Sequence, residues 1–384
     1  MAAGDGPLPF PILGTMTFGS EGQVKPADAS AQVKAFCLDN SAAAPHGAMI
    51  DTARIYQQAT PEGDTETVLG QAFASDDAVR TKVHVATKAN PMMEPHRSLS
   101  CQSVIEQCEI SLRKLGLDSV DLFYLHSPDI KTDLEDTLAG IDELHRHGKI
   151  KEFGLSNYPA WAVVDIWYRC KRRGMVLPTV YQGMYNIITR DFERELVPVA
   201  REFGLRLYMY NPLAGGLLSG RYATVEDLAA ATEGRFSAEF DRAFGDKLKA
   251  GQLYRARYSK APIFEGLGLL QKACASTGLT LPAVALRWLV HHSFLGAGDG
   301  IILGVSKPGQ LTANLAAWRA GPLPREVVQA CDAAWEAARP ACEAYFRGYG
   351  ARPGGVEAFL EVNKSRKRRE DEEAAAEVAK RTKT

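Results

Sequence analysis

The sequence lacks a charge surplus of either sign, a long apolar run and any regular cysteine spacing. Its 45 basic and 46 acidic residues nearly cancel, so there is no basic footprint of the kind that marks a nucleic-acid binder. Apolar runs such as 120–125 are short. None approaches the span of about 20 residues that crosses a membrane, so no membrane insertion is expected. The N-terminal MAAGDGPLPFPILG has no positive region leading into an apolar stretch, and no secretory signal is expected. The seven cysteines, Cys37, Cys101, Cys108, Cys170, Cys274, Cys331 and Cys342, include no CxxC, and an odd number leaves at least one unpaired. Free thiols in a reducing, cytoplasmic setting fit this pattern. There is no HExxH, and adjacent His291 and His292 do not face one site on a helix, so no protein-bound metal is expected. There is no GxxxxGK[ST] either. The GAGDG at 296–300 precedes a strand and is followed by no helix, so it reads as a turn, not as a dinucleotide fingerprint.

What is present is an alternation of two periods. Short β-branched and aromatic runs at 48–52, 83–88, 122–126, 152–156, 179–185, 205–210 and 301–304 read as strands. Several are apolar on successive residues, which suits parallel strands covered on both faces. Amphipathic patterns separate them. Ser103 with Glu106, and Thr132 with Glu135, look like capping boxes. Gly116 and Gly148 look like helix ends. Pro159 suits a first helical turn, and a further helix is expected over 282–292. Repeated strand–helix units mean α/β. Seven clear strands and an eighth near 316–318 favour a single (β/α)8 barrel over a doubly wound sheet, with 10–15 as a lid over the barrel floor.

Two stretches break the rhythm. Residues 221–262 are long, polar and weakly periodic, which suggests either a role at a site or a helical excursion outside the barrel. The chain ends in SRKRREDEEAAAEVAKRTKT, a charged run that reads as a solvated helix or a disordered tail. Its basic cluster at 364–369 has the composition of a nuclear address. The expected division is a barrel domain over 8–347 and an extension over 348–384.

In such barrels the chemistry sits at the C-terminal ends of the strands. Three strands there end near Asp51, Lys88 and His126, and Tyr56 lies in the loop just after Asp51. Reducing a carbonyl requires a proton donor at oxygen as well as a hydride donor at carbon. A phenol is a weak acid with a pKa of about 10. An ammonium beside it favours the phenolate and eases proton release. On this reading Lys88 activates Tyr56, Asp51 keeps Lys88 charged, and a neutral His126 orients the carbonyl oxygen. Each residue alone has an ordinary structural explanation, and it is their coincidence at one depth that points to a site. A strand lysine also suits Schiff-base chemistry of the aldolase kind.

The segments IDTARIY, VATKAN, DLFYLHSPD, GLSNY, TVYQGMYN, YNPLAGGLLSG and YFR together resemble the signatures of the aldo-keto reductases. Among these the match is nearer to the group that reduces aflatoxin aldehyde and succinic semialdehyde. The resemblance covers about 8–347. It implies a barrel, an NADPH cofactor, an aldehyde substrate and a catalytic tetrad of Asp51, Tyr56, Lys88 and His126 with the tyrosine as general acid. It implies that Ser156, Asn157 and Gln182 hold the nicotinamide carboxamide and that Tyr210 stacks on its ring. Asn211, Leu213 and Gly215 then fall in a loop facing the pyrophosphate, with Arg235 reaching the same phosphates. Ser306, Gln310 and Asn314 fall at the adenosine phosphate. The strongly basic pair that many members carry there is not plainly present, although Lys307 is adjacent. Arg347 corresponds to a contact with substrate carboxylate. Met92, Met93 and Phe18 are candidates for the pocket's apolar side, and equally for ordinary packing. A homodimer is expected from the resemblance alone. Some barrels of this superfamily serve instead as regulatory subunits of potassium channels with slow turnover, and a retained tetrad fits them too.

Overall fold

The computed structural model describes residues 7–19, 23–40, 47–57, 64–93, 96–243 and 250–349. The tail from 350 onward, with the basic cluster, lies outside the described residues. The first half runs β1 (Phe10–Gly14), α1 (Pro26–Asn40), β2 (Ala48–Asp51), α2 (Thr65–Ala74), α3 (Asp77–Arg80), β3 (Val83–Ala89), α4 (Cys101–Leu115), β4 (Val120–Leu125), α5 (Leu134–Arg146), β5 (Ile150–Ser156) and α6 (Ala160–Arg173). The second runs β6 (Pro178–Met184), α7 (Leu196–Glu202), β7 (Arg206–Tyr210), α8 (Val225–Ala229), α9 (Ala238–Ala243), α10 (Ala250–Tyr258), α11 (Ala261–Thr277), α12 (Leu281–His291), β8 (Gly300–Gly304), α13 (Pro308–Arg319) and α14 (Arg325–Ala338). The strands are parallel and close as β1-β2-β3-β4-β5-β6-β7-β8, a (β/α)8 barrel.

The eighth strand is not where the sequence suggested. Residues 316–318 lie in α13. The missing strand is β1, read from sequence as a floor lid, which pairs with β2 and β8 and closes the barrel. Its FPILG is fully buried, but a proline inside five residues weakens the strand signal. The two capping boxes were also displaced. Ser100 caps α4, accepting from the Ser103 N–H, and Asp133 caps α5, accepting from the Glu135 N–H. Ser103 is inside its helix, and the Thr132 hydroxyl instead donates to Asp129. Pro159 is the cap of α6, one place before its first turn.

Strand alternation sends every second side chain inward. Phe10, Ile12, Met49, Ala86, Leu122, Tyr124, Val180, Tyr208 and Ile302 form one apolar plug inside the barrel. A separate, larger cluster lies between the strands and the helices. Gly154 makes room for the plug, because a Cβ there would fall 2.5 Å from the Tyr124 ring. Two residues further along the same strands, the inward positions become Asp51, Lys88, His126, Ser156, Gln182 and Tyr210. The barrel therefore carries a polar layer directly above an apolar one. Among the described residues, no single helix is long and apolar enough to cross a membrane.

Candidate active site

Lys88 is the centre of the polar layer and is fully buried. Its ammonium donates to Asp51 Oδ1 at 2.6 Å and to the Thr52 carbonyl at 2.6 Å, and lies 3.4 Å from the Tyr56 hydroxyl. Those contacts use all three donors of a lysine. Asp51 Oδ2 accepts from Gln182 Nε2 at 2.7 Å. Burial pushes the Asp51 carboxyl up and the Lys88 ammonium down, and each opposes the shift in the other. With Lys88 enclosed and its donors committed, its amine is not free to face the cleft, which removes support from the Schiff-base reading.

Tyr56 sits in the turn after β2, its N–H donating to the Ala53 carbonyl at 3.0 Å. Its hydroxyl is pushed well above the usual phenol range, first by burial, then by the Asp51 charge and Tyr254, with Arg235 opposing. Burial is the main cause, and it keeps Tyr56 protonated at neutral pH with the Lys88 ammonium beside it. That is the state a proton donor requires.

His126 follows β4, its N–H donating to the Ala89 carbonyl at 2.8 Å. Its ring meets Tyr56 edge-on with centroids 6.0 Å apart. Burial pulls the imidazole well below its usual range, and the Lys88 and Arg347 cations add to this. It is therefore neutral near pH 7. Its Nδ1 is buried with no hydrogen-bond partner.

These groups open onto a cleft of about 2060 Å³ that runs across the barrel mouth. Asn157, held at φ 63°, ties its first section together. It donates to the His126 carbonyl and to Ser156 Oγ, both at 2.9 Å, and accepts from the Tyr210 hydroxyl at 2.8 Å. Beyond Tyr210 the backbone turns left-handed at Asn211, Ala214, Gly215 and Gly216, with Leu213 in the same turn at negative φ. A Cβ on Gly215 would fall 2.7 Å from the Tyr254 ring. Arg235 crosses the mouth from the 221–262 excursion. It donates to the Tyr254 hydroxyl at 2.7 Å and lies 3.1 Å from where a Gly304 Cβ would be. At the far end, Gln310 Oε1 accepts from the N–H groups of Ser306 and Lys307 at 2.8 and 3.1 Å, with Asn314 one turn on.

All the expected site residues except Lys88, Phe18 and Met93 line this cleft. Lys88 lies just beneath it. Phe18 is fully buried in the outer core between strands and helices, where it pairs with Val24, so it packs and does not line the pocket. Met93 is likewise buried, whereas its neighbour Met92 is exposed at the cleft wall. Arg347 is fixed by its backbone, which donates to the Asn157 carbonyl at 2.9 Å. The sequence reading missed Arg221, Leu253, Tyr254 and Arg257, which also line the cleft. The last three lie along α10 with Leu253 and Arg257 four apart, a one-face spacing that was legible within the excursion.

The Aldo/keto reductase family model matches residues 12–336. The chain belongs to the aldo/keto reductase family. It is similar to aflatoxin B1 aldehyde reductase member 2 of Mus musculus, 42% identical over 90% of each chain. It is 44% identical to the Homo sapiens protein of that name, over 88% of this chain and 89% of the relative. Aldo-keto reductase family 7 member A3 of Homo sapiens is 46% identical over 78% of this chain and 87% of its own. The protein is thus an oxidoreductase of this family, whose members use a nicotinamide dinucleotide.

The cleft fits such a cofactor. It has a volume of about 2060 Å³, a left-handed glycine turn whose backbone a phosphate can approach, and cationic Arg221, Arg235 and Lys307 along its wall. Asn211 Oδ1 and His126 Nδ1 are buried polar atoms without partners, as expected where a bound polar group completes the hydrogen bonding.

Proposed function

We propose that the protein reduces aldehydes to alcohols with NADPH, and that Tyr56 is the proton donor. The observation that carries this reading is the meeting of the Lys88 ammonium, the Tyr56 hydroxyl and the His126 ring at the mouth of a dinucleotide-sized cleft. Reduced nicotinamide, when bound, supplies hydride to the carbonyl carbon. Tyr56 and neutral His126 hold the carbonyl oxygen, and Tyr56 gives it a proton. Lys88 stands ready to stabilise the phenolate that Tyr56 becomes. Ser156, Asn157 and Gln182 orient the carboxamide, and Tyr210 supports the ring face. Asn211, Leu213, Gly215 and Arg235 border the pyrophosphate. Ser306, Gln310 and Asn314 take the adenosine phosphate, with Lys307 beside them, which favours NADPH over NADH.

Arg347 and Met92 suit an aldehyde with an acid group and an apolar body, because a guanidinium pairs bidentately with carboxylate. The relatives named for aflatoxin B1 aldehyde fit an aldehyde substrate of some bulk. Arg347→Ala is expected to raise KM about tenfold for 2-carboxybenzaldehyde and little for 4-nitrobenzaldehyde. Equal losses on the two would remove the carboxylate contact. Seven unpaired cysteines support a cytoplasmic location. The reading as a whole is tested by following reduced-cofactor absorbance with an aldehyde panel and both nicotinamides. Robust turnover with NADPH is expected. Tight cofactor binding without turnover would overturn it.

A further inference from the structure

One buried carboxylate takes no part in the mechanism above. Glu66, on α2, is 2% exposed and lies between the helices and the outer face of β3. Its Oε1 accepts from the Thr87 hydroxyl at 2.6 Å, and its Oε2 from the Ser111 hydroxyl on α4 at 3.0 Å. Thr87 precedes Lys88, so the two side chains leave β3 on opposite faces. The Lys88 ammonium meets Asp51 inside the barrel, and Glu66 stands on the other side of the same strand. Glu66 also interacts electrostatically with Arg54, in the turn that carries Tyr56.

We propose that Glu66 is a positioning residue, a second carboxylate that supports the Lys88 ammonium from outside the barrel. A buried lysine with a single carboxylate partner is at risk of losing its proton, because burial favours the neutral amine. A second anion across the strand adds to the attraction in a medium that screens weakly. The charges agree with this. Asp51 and Glu66 are the two carboxylates that hold the Lys88 ammonium up against burial. The groups facing Lys88 are Asp51 on β2, Tyr56 in the following turn, and Tyr124 and His126 from β4, with Glu66 on α2 acting across the strand. Those facing Glu66 are Arg54, Thr87, Lys88, Ser111 and Cys108. Burial raises the Glu66 carboxyl, while both hydroxyls, Arg54 and Lys88 favour its ionised form.

The inference rests on Lys88 serving the reaction as proposed above, so the test separates the two. In cofactor-free protein, Lys88 is titrated by NMR of carbon-labelled lysine, with Lys88→Met assigning the signal. Glu66→Gln retains an acceptor for Thr87 and a donor for Ser111, and removes the charge. It is expected to lower the Lys88 titration midpoint by about one pH unit. The alkaline limb of kcat should move to lower pH by the same amount, and Glu66→Asp should restore it. Should Glu66→Gln not fold, Arg54→Gln/Glu66→Gln removes both charges and leaves none buried alone, and a smaller shift in the same direction is expected, because the Arg54 cation opposes Glu66 at Lys88. A Lys88 midpoint unchanged in whichever variant folds overturns the role of Glu66, whatever the turnover. A shifted midpoint with an unmoved kcat limb supports the Glu66–Lys88 coupling and counts against the reaction reading instead.

Discussion

Two carboxylate–lysine pairs stand at opposite ends of this barrel and behave in opposite ways. At the N-terminal end, Asp121 of β4 accepts from Lys151 at 2.7 Å, and its other oxygen accepts from the Val85 N–H at 2.8 Å, with His84 also 3.1 Å away. Lys151 is largely exposed. Burial opposes ionisation of Asp121, but the hydrogen bonds from His84, Lys151 and Val85 outweigh it and hold the carboxyl at about 2. At the C-terminal end, Asp51 meets Lys88 at 2.6 Å, with Lys88 fully enclosed and the Asp51 side chain only 5% exposed. There burial outweighs the attraction between the partners, raising Asp51 and lowering Lys88. Similar contact distances therefore give a stabilising pair where water reaches one partner, and a costly pair where it scarcely reaches either. The costly pair is the one that touches Tyr56. Stability is given up where the chemistry needs a charge in a dry place.

The contrast can be broken most strongly at the phenol. Tyr56→Phe is expected to lower kcat by about 10²–10⁴, with cofactor affinity kept, as measured by fluorescence titration. Retained turnover would make the buried pair a structural curiosity. Next comes the pair itself. Asp51→Asn/Lys88→Met removes both buried charges and is expected to lose at least about 10² in turnover. Its thermal stability should be equal or higher, because a buried ion pair is often matched by neutral groups of similar size. A large loss of stability would show that the pair holds the barrel together. The smallest effect belongs to the other end. Asp121→Asn is expected to cost about 1–2 kcal/mol in urea unfolding at pH 7 with turnover unchanged. The Asp121 carboxyl lies at about 2 when folded against a reference of 3.8. Its contribution is therefore present above about pH 4 and disappears as pH falls through about 2. A wild-type stability equal to the variant's at pH 7 would end the contrast.

Much of this was legible in the residues. Asp51, Lys88 and His126 each end an apolar strand, so period-2 alternation alone puts them on one inner face. The hydrophobic runs also marked seven of the strands to within a few residues. What sequence could not supply was the weight of burial at Tyr56. Burial is the largest cause of the raised phenol, and it depends on packing that no spacing encodes. Strand β1 was hidden by its proline, and the AAW at 316–318 mimicked a strand because three residues carry no period. Phe18 stands in the same loop as cleft residues Met16 and Thr17, and one further step along the chain turned its ring into the outer core. Glu66 left no sequence signal as a site residue. It reads as an ordinary acidic residue in a first helical turn, and only the fold sets it behind Lys88.

The central claim is that this barrel mouth joins a proton from Tyr56 to hydride from a nicotinamide at one carbonyl. It is tested most directly with NADPH carrying deuterium at the reactive ring carbon, an aldehyde substrate, and mass analysis of the product. The account predicts an alcohol with a single deuterium bound to the former carbonyl carbon, formed quickly by the native protein and barely at all by Tyr56→Phe. Alcohol without deuterium, or equal formation by both proteins, would contradict it.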